Sequence, residues 1–238
     1  MFLSLFRIYI VFTALYKEFP SEATMTLGSP VGVVDLITPA NCPYQLYNQE
    51  VVWNGKWIQT RQVGFRAQNG QEGVWQSVHR NTKPHGAAAD GVSIIARVRK
   101  AGKVLIILVK QFRIPTGKVC LELPAGLIDH GETSQQAAIR ELKEETGYTS
   151  AKVVNESKLC FLDPGLTDDS QVMVVVDVDG DAPENINPVQ NLDATESIEV
   201  LLVEQSELMT YIENLDSSIV VESSLLAYAM GVKFASLV

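Results

Sequence analysis

Glu141, Glu144 and Glu145 stand three and four residues apart, the spacing that sets side chains next to one another on one face of a helix. Thr133 followed by Gln136 forms a capping box, and Gly147 supplies the left-handed residue on which helices commonly end, so the spacing predicts a short helix between them. Each like-charged pair on such a face costs on the order of a few tenths of a kcal/mol, which a divalent cation more than offsets. A solvated acidic helix balanced by Arg140 and Lys143 is the competing interpretation. The strand-ending turn Leu123-Pro124-Ala125-Gly126 favours a metal site, because it can aim a backbone carbonyl toward the same carboxylates. Oxygen donors of this kind select magnesium or manganese.

A helix of this kind needs a scaffold, and 238 residues with 46% hydrophobic content suffice to bury one ample core. A formal net charge of −9 argues against a broad nucleic-acid surface, so an anionic substrate must meet locally placed cations. Cys42, Cys120 and Cys160 have no metal-ligand spacing and cannot all pair with one another, which favours a reducing compartment. His79, His85 and His130 likewise show no ligand spacing and receive no role. Met1 to Tyr16 is apolar apart from Arg7 and a few hydroxyls, but a bilayer span needs about 20 apolar residues, so no stable membrane span is expected. The stretch from Ile8 to Tyr16 leaves a targeting segment open, with Met25 as an alternative start; the expected address is the cytoplasm, with the nucleus as the alternative.

Phe19 to Tyr47 is rich in Pro, Gly, Thr and Ser and reads as a loosely ordered arm. Between Gln49 and Arg80, short β-prone runs are divided by Asn54-Gly55 and Asn69-Gly70, both hairpin signals, which predicts a small antiparallel sheet. Val92 to Val98, Val104 to Phe112, Val119 to Leu123, Gln171 to Val178 and Ser197 to Val203 predict a second, more buried sheet. Asp179 to Thr195 has no periodicity and reads as a long surface loop, and Glu204 to Leu215 and Glu222 to Phe234 carry helical spacing. Without a regular βαβ rhythm, the order argues for a mixed sheet flanked by helices.

The run from Gly126 over five residues to Glu132, then over seven to Arg140-Glu141-Leu142-Lys143-Glu144-Glu145-Thr146-Gly147-Tyr148, resembles the signature of the Nudix hydrolases, with every fixed position met. Further similarity, to the ADP-ribose (ADP-sugar) pyrophosphatase branch, extends from about Trp57 to Tyr228. It includes Trp75-Gln76-Ser77-Val78-His79-Arg80, Val109-Lys110-Gln111-Phe112-Arg113, Glu122 to Asp129, and Asp163-Pro164-Gly165-Leu166. The resemblance implies a Nudix α/β/α sandwich with a mixed sheet, preceded by a small antiparallel β domain. Its implied boundaries are an arm over 1–47, a small domain for dimerisation and base binding over 48–87, and the hydrolase domain over 88–238.

It also implies two or three Mg²⁺ ions per site, with Mn²⁺ as an alternative, held by Glu141 and Glu145, Glu144 assisting, and the backbone carbonyl of Ala125. Glu144 and Arg140 count among the catalytic residues, Arg140 pairing with Glu132 to brace the turn. Glu196 matches the general base, with Glu199 and Asp193 nearby as competitors. Arg80 and Arg113 match diphosphate-binding positions, Glu122 lies near metal and substrate, and Asp163 joins the substrate-binding set. Trp57 and Trp75 match tryptophans that sandwich a base, one from each subunit of a homodimer. Gln76 stands where some relatives carry an acid that helps hold the base, which leaves base preference open. The implied reaction hydrolyses ADP-ribose to AMP and ribose 5-phosphate, a small-molecule nucleotide sugar and no nucleic acid being the partner. Another nucleoside diphosphate sugar, an oxidised nucleoside diphosphate, or a catalytically silent ADP-ribose sensor are the alternatives; sensors usually lose box glutamates, and all are kept here.

Overall fold

The computed structural model describes residues 31–33, 41–235 and 237. The apolar segment from Met1 to Tyr16 and the alternative start at Met25 lie outside them. No helix among the described residues is long and apolar enough to cross a membrane.

The first four strands, β1 (Val31–Val33), β2 (Gln45–Asn54), β3 (Ile58–Arg66) and β4 (Glu72–Arg80), form an antiparallel sheet in that order. Asn54-Gly55 and Asn69-Gly70 both fall in its hairpin turns, as expected from their preference for tight reversals. The sheet starts earlier than the expected Gln49, because Gln45 to Tyr47 pair with Gly64 to Arg66, and Val31 and Val33 add an edge opposite Val51 and Glu50. A polar sequence can still extend a sheet once a neighbour supplies backbone partners.

The remaining strands are β5 (Gly91–Lys100), β6 (Lys103–Arg113), β7 (Lys118–Glu122), β8 (Ala125–Leu127), β9 (Ala151–Glu156), β10 (Cys160–Phe161), β11 (Ser170–Asp179), β12 (Ile198–Glu204) and β13 (Ile219–Val221). They build one nine-stranded sheet whose main path runs β10-β11-β5-β6-β7-β13. β11 runs parallel to β5, and β13 parallel to β7; the other pairs are antiparallel, so the sheet is mixed. Helix α1 (Ser134–Thr146) packs on one face, and α2 (Leu208–Glu213) with α3 (Ser223–Ala235) on the other.

Strand alternation sorts the core. Ile94, Ala96, Val98 and Ile107 join Ala137, Ala138 and Leu142 of α1, while Ile95, Ile106 and Leu108 join Leu208, Leu225 and Ala229. Both faces of β5 and β6 are therefore buried, which is why these strands read as continuous apolar runs. The expected sandwich is the observed one.

Several segments differ from expectation. β8, β9, β10 and β13 are short or polar and owe their extended form to pairing with distant strands. The helix expected over Glu204 to Leu215 shortens to a 3₁₀ turn at Gln205–Glu207 followed by α2. The expected surface loop between β11 and β12 is pinned: Asn185 is fully buried, and its amide group binds Thr149 N–H, Thr149 C=O and Asp179 C=O.

Candidate active site

Helix α1 starts and stops where its caps dictate. Thr133 Oγ1 accepts the Gln136 N–H at 3.2 Å, Gln136 Oε1 accepts the Thr133 N–H at 2.9 Å, and Gly147 closes the helix at φ 75°. With Ala137, Ala138 and Leu142 facing the sheet, Glu141, Glu144 and Glu145 project along the rim where β7 ends and β8 begins.

Glu145 is only 3% exposed. Its Oε2 accepts the Ala125 N–H at 3.0 Å. In the β5–β8 ladder, Ile94 N–H bonds Pro124 C=O and Ile128 N–H bonds Asp90 C=O. Antiparallel alternation then turns the polar groups of Ala125 away from β5, so its carbonyl faces the same side as the N–H that meets Glu145. Burial, helped by the nearby charges of Glu141 and Glu196 and opposed by the Ala125 N–H bond, pushes the Glu145 carboxyl up to about 8. Burial also raises Glu141, while its bond to Arg140 opposes the shift.

Gly126 makes room for Glu141: a Cβ there would lie 1.9 Å from the carboxyl carbon. Arg140 braces the whole turn. Its guanidinium donates to both oxygens of Glu132 at 3.0 and 2.8 Å, to Leu127 C=O at 2.9 Å, to Glu141 at 2.7 Å and to Glu144 at 3.1 Å. The Glu132 carboxyl is held below its ordinary range chiefly by Arg140, and the Arg140 guanidinium is raised chiefly by Glu132. The expected Arg140–Glu132 brace is thus present, but Arg140 also occupies Glu141 and Glu144. Among the described residues no three acidic side chains converge as a ready-made coordination set.

A cleft of about 600 Å³ opens beside these acids. Arg80, Arg113, Glu122, Ala125, Arg140, Glu141, Glu144, Glu145 and Glu196 all line it, although they come from separate strands, the helix and a loop. Glu122, 5% exposed, is gripped by Arg113 through Nε at 2.7 Å and Nη2 at 2.5 Å, with Gln111 at 3.3 Å. Arg80 Nε lies 2.7 Å from Asp169 Oδ1. Each arginine is raised from its ordinary value mainly by the hydrogen bond to its acid partner, so both stay charged in the cleft. Glu196 sits in a turn where its Oε2 accepts the Asp193 N–H at 3.0 Å. Asp193 lines the cleft as well, whereas Glu199 lies against Lys110 at 3.6 Å.

Three expected site residues are not brought to the cleft within this chain. Trp57 and Trp75 are 61% and 50% exposed on the small sheet; Lys56 lies over the Trp57 ring and Trp75 meets the edge of Phe65. Asp163 forms a turn instead, its carboxylate accepting Gly165 N–H and its carbonyl accepting Leu166 and Thr167 N–H. Conversely, Gln111, Asp169, Asn191 and Glu222 line the cleft without having been anticipated. Asp169 is one of two adjacent aspartates, and nothing in its local pattern marks it as the partner of Arg80. His79 also gains a neighbour, with Nδ1 2.7 Å from Asp168 and Nε2 2.8 Å from Ser77 Oγ, where β4 meets the turn before β11.

The geometry agrees with similarity to known proteins. A family model described as NUDIX domain matches residues 87–219. The Caenorhabditis elegans protein named "Putative nudix hydrolase 2" is 77% identical over 222 residues, 90% of this chain and 100% of that protein. The ADP-ribose pyrophosphatase of Saccharomyces cerevisiae is 46% identical over 151 residues, 63% of this chain and 64% of the yeast protein. A crystal structure of an ADP compounds hydrolase superposes with a TM-score of 0.56 at 18% identity, covering 84% of this chain and 98% of the other, a likeness of fold. Matched by the family model over more than half its length, and with Glu141, Glu144 and Glu145 gathered at one cleft, this chain belongs to the Nudix hydrolase family.

Proposed function

We propose that this protein hydrolyses the pyrophosphate bond of ADP-ribose and related ADP-sugars, releasing AMP and ribose 5-phosphate with the help of magnesium or manganese. One observation carries the reading: a cleft with buried and half-buried carboxylates on one wall presents two charged arginines, Arg80 and Arg113, on another. A diphosphate matches the arginines, and a hard cation matches the carboxylates. The name of the yeast relative supports the choice of substrate.

The donors fit a divalent cation. Glu145 is buried beside Glu141 and Glu196 with one backbone N–H as its partner, Glu141 rests on the bare backbone of Gly126, and the Ala125 carbonyl faces the same side. Glu141 and Glu145, with Glu144 assisting and the Ala125 carbonyl, would hold the ions, two or three in the reading drawn from the family. Bound there, such ions screen diphosphate charge and make a water a better nucleophile. Arg80 and Arg113 orient the diphosphate through forked N–H donors, while Glu122 holds Arg113 in place. Glu196 takes the proton from the attacking water as its oxygen bonds to phosphorus and the bridging P–O bond breaks. Arg140 keeps the box turn rigid; Asp163 supports the wall through its turn.

The base subsite and the dimer go together in this reading. Ile58 pairs with Arg80 and Val63 with Trp75, so Trp57 and Trp75 of one chain stand about 20 Å apart along the strands, too far to clasp one base. Val52, Trp53, Trp57, Val74 and Trp75 are all exposed on the small sheet, with Val74 and Trp75 on opposite faces of β4, and this exposed apolar area suits burial against a second copy. Residues 48–87 then act as the dimerising, base-binding unit and 88–238 as the hydrolase unit.

The test is to incubate purified protein with ADP-ribose, with and without Mg²⁺, and to identify products by mass. AMP and ribose 5-phosphate released only with the metal is the expected result. Binding of ADP-ribose without release of AMP overturns the reading in favour of a sensor, and faster turnover of another nucleoside diphosphate compound reassigns the substrate.

A further inference from the structure

We infer that Gln190 is a positioning residue that sets Glu196 against the acidic helix. This rests on the reading of Glu196 as general base. Gln190 Nε2 donates to Glu145 C=O at 2.6 Å and to Ile198 C=O at 3.0 Å, so both amide hydrogens of one side chain are used. The first bond fastens the loop to the C-terminal turn of α1, where the last carbonyls of any helix lack partners within the helix. The second closes residues 190–198 on themselves, with Glu196 inside the closed segment.

Neighbouring contacts make the anchor rigid on the helix side. Asn191 N–H donates to Glu144 C=O at 2.8 Å. Gly147 lets the Pro188–Val189 backbone press against the helix end, since a Cβ there would lie 2.4 Å from Val189 N. The carbonyls that receive the loop therefore belong to Glu144 and Glu145, two of the residues whose side chains face the cleft. From Asp193 to Ser197 the chain is exposed, and the hydrogen bonds of Glu196 within the described residues are those of the turn with Asp193. Glu196 thus reaches the cleft from a short exposed bend whose two ends are gathered by one amide. Loss of that amide frees the bend while leaving helix, sheet and cations' ligands in place.

The test uses the full chain, ADP-ribose and Mg²⁺, with Gln190→Leu, Glu196→Gln and the double variant. Gln190→Leu lowers kcat at least roughly tenfold with KM within about twofold, the pattern of a misplaced reacting group. In the Glu196→Gln background the same change lowers kcat by less than about twofold, because no base remains to misplace. Wild-type kcat in Gln190→Leu overturns the inference, as does an equal loss in both backgrounds, which assigns Gln190 to the helix alone. Wild-type kcat in Glu196→Gln alone instead overturns the general-base reading. Should Gln190→Leu not fold, Gln190→Asn, one methylene shorter and unable to span both carbonyls, is scored by the same comparison.

Discussion

A methyl group added at Gly126 probes the placement of Glu141 without removing any charged group. The Cβ of Gly126→Ala would lie 1.9 Å from the Glu141 carboxyl carbon and 2.0 and 2.4 Å from its oxygens, whereas ordinary contact begins at 3.4 Å. The carboxyl must retreat by about 1.5 Å to reach normal separation. It is the mobile end of a long side chain, and Gly126 does not occupy the left-handed region, so the fold loses little, roughly 1 kcal/mol at the low end of overpacking. That corresponds to a fall in Tm of about 2–4 °C for a chain of this size. A displacement of that size at a reacting centre costs about a hundredfold in rate, or about 2.7 kcal/mol of barrier. AMP release at saturating Mg²⁺, alongside calorimetric unfolding, separates the two effects. Turnover within about threefold of wild type refutes the reasoning, because Glu141 could then not be working from its seat on Gly126. A collapse of Tm refutes it differently, by making Gly126 a packing residue.

Other expectations follow from the same site. Glu145→Gln keeps an oxygen to accept the Ala125 N–H and removes a charge that burial disfavours, so turnover disappears while Tm holds or rises; near-normal activity rejects the metal assignment. Arg113→Ala strands Glu122, 5% exposed, and lowers stability by roughly 2–3 kcal/mol, short of the fully buried case because Arg113 itself is partly exposed. Arg80→Ala leaves the wetter Asp169 behind and costs only about 1 kcal/mol, so urea unfolding should rank the two variants in that order. Each raises KM for ADP-ribose, and an unchanged KM in both rejects their diphosphate role. Chelation of divalent ions abolishes AMP release and Mg²⁺ or Mn²⁺ restores it; turnover that persists in excess chelator contradicts the cation reading.

Local chemistry was written into the chain. Thr133, Gln136 and Gly147 mark the ends of α1 because caps act between residues a few positions apart, and Asn54-Gly55 and Asn69-Gly70 place hairpin turns for the same reason. The β-branched runs of β5 and β6 marked the more buried sheet, and the helical spacing of the box put Glu141, Glu144 and Glu145 on one rim. Partners joined through space were not legible. Asp169 meets Arg80, and Arg113 meets Glu122, only after the small sheet docks on the turn before β11 and β6 pairs with β7. β9 and β13 become strands because β11 and β7 offer them free backbone groups, a demand that no residue inside those segments announces. The loop before β12 looks like solvent-exposed linker in sequence, yet Asn185 and Gln190 bind carbonyls that tertiary folding brings within reach. Periodicity and capping depend on near neighbours and so can be read along the chain, whereas an ion pair or a loop anchor between distant segments exists only once the sheet has set their separation.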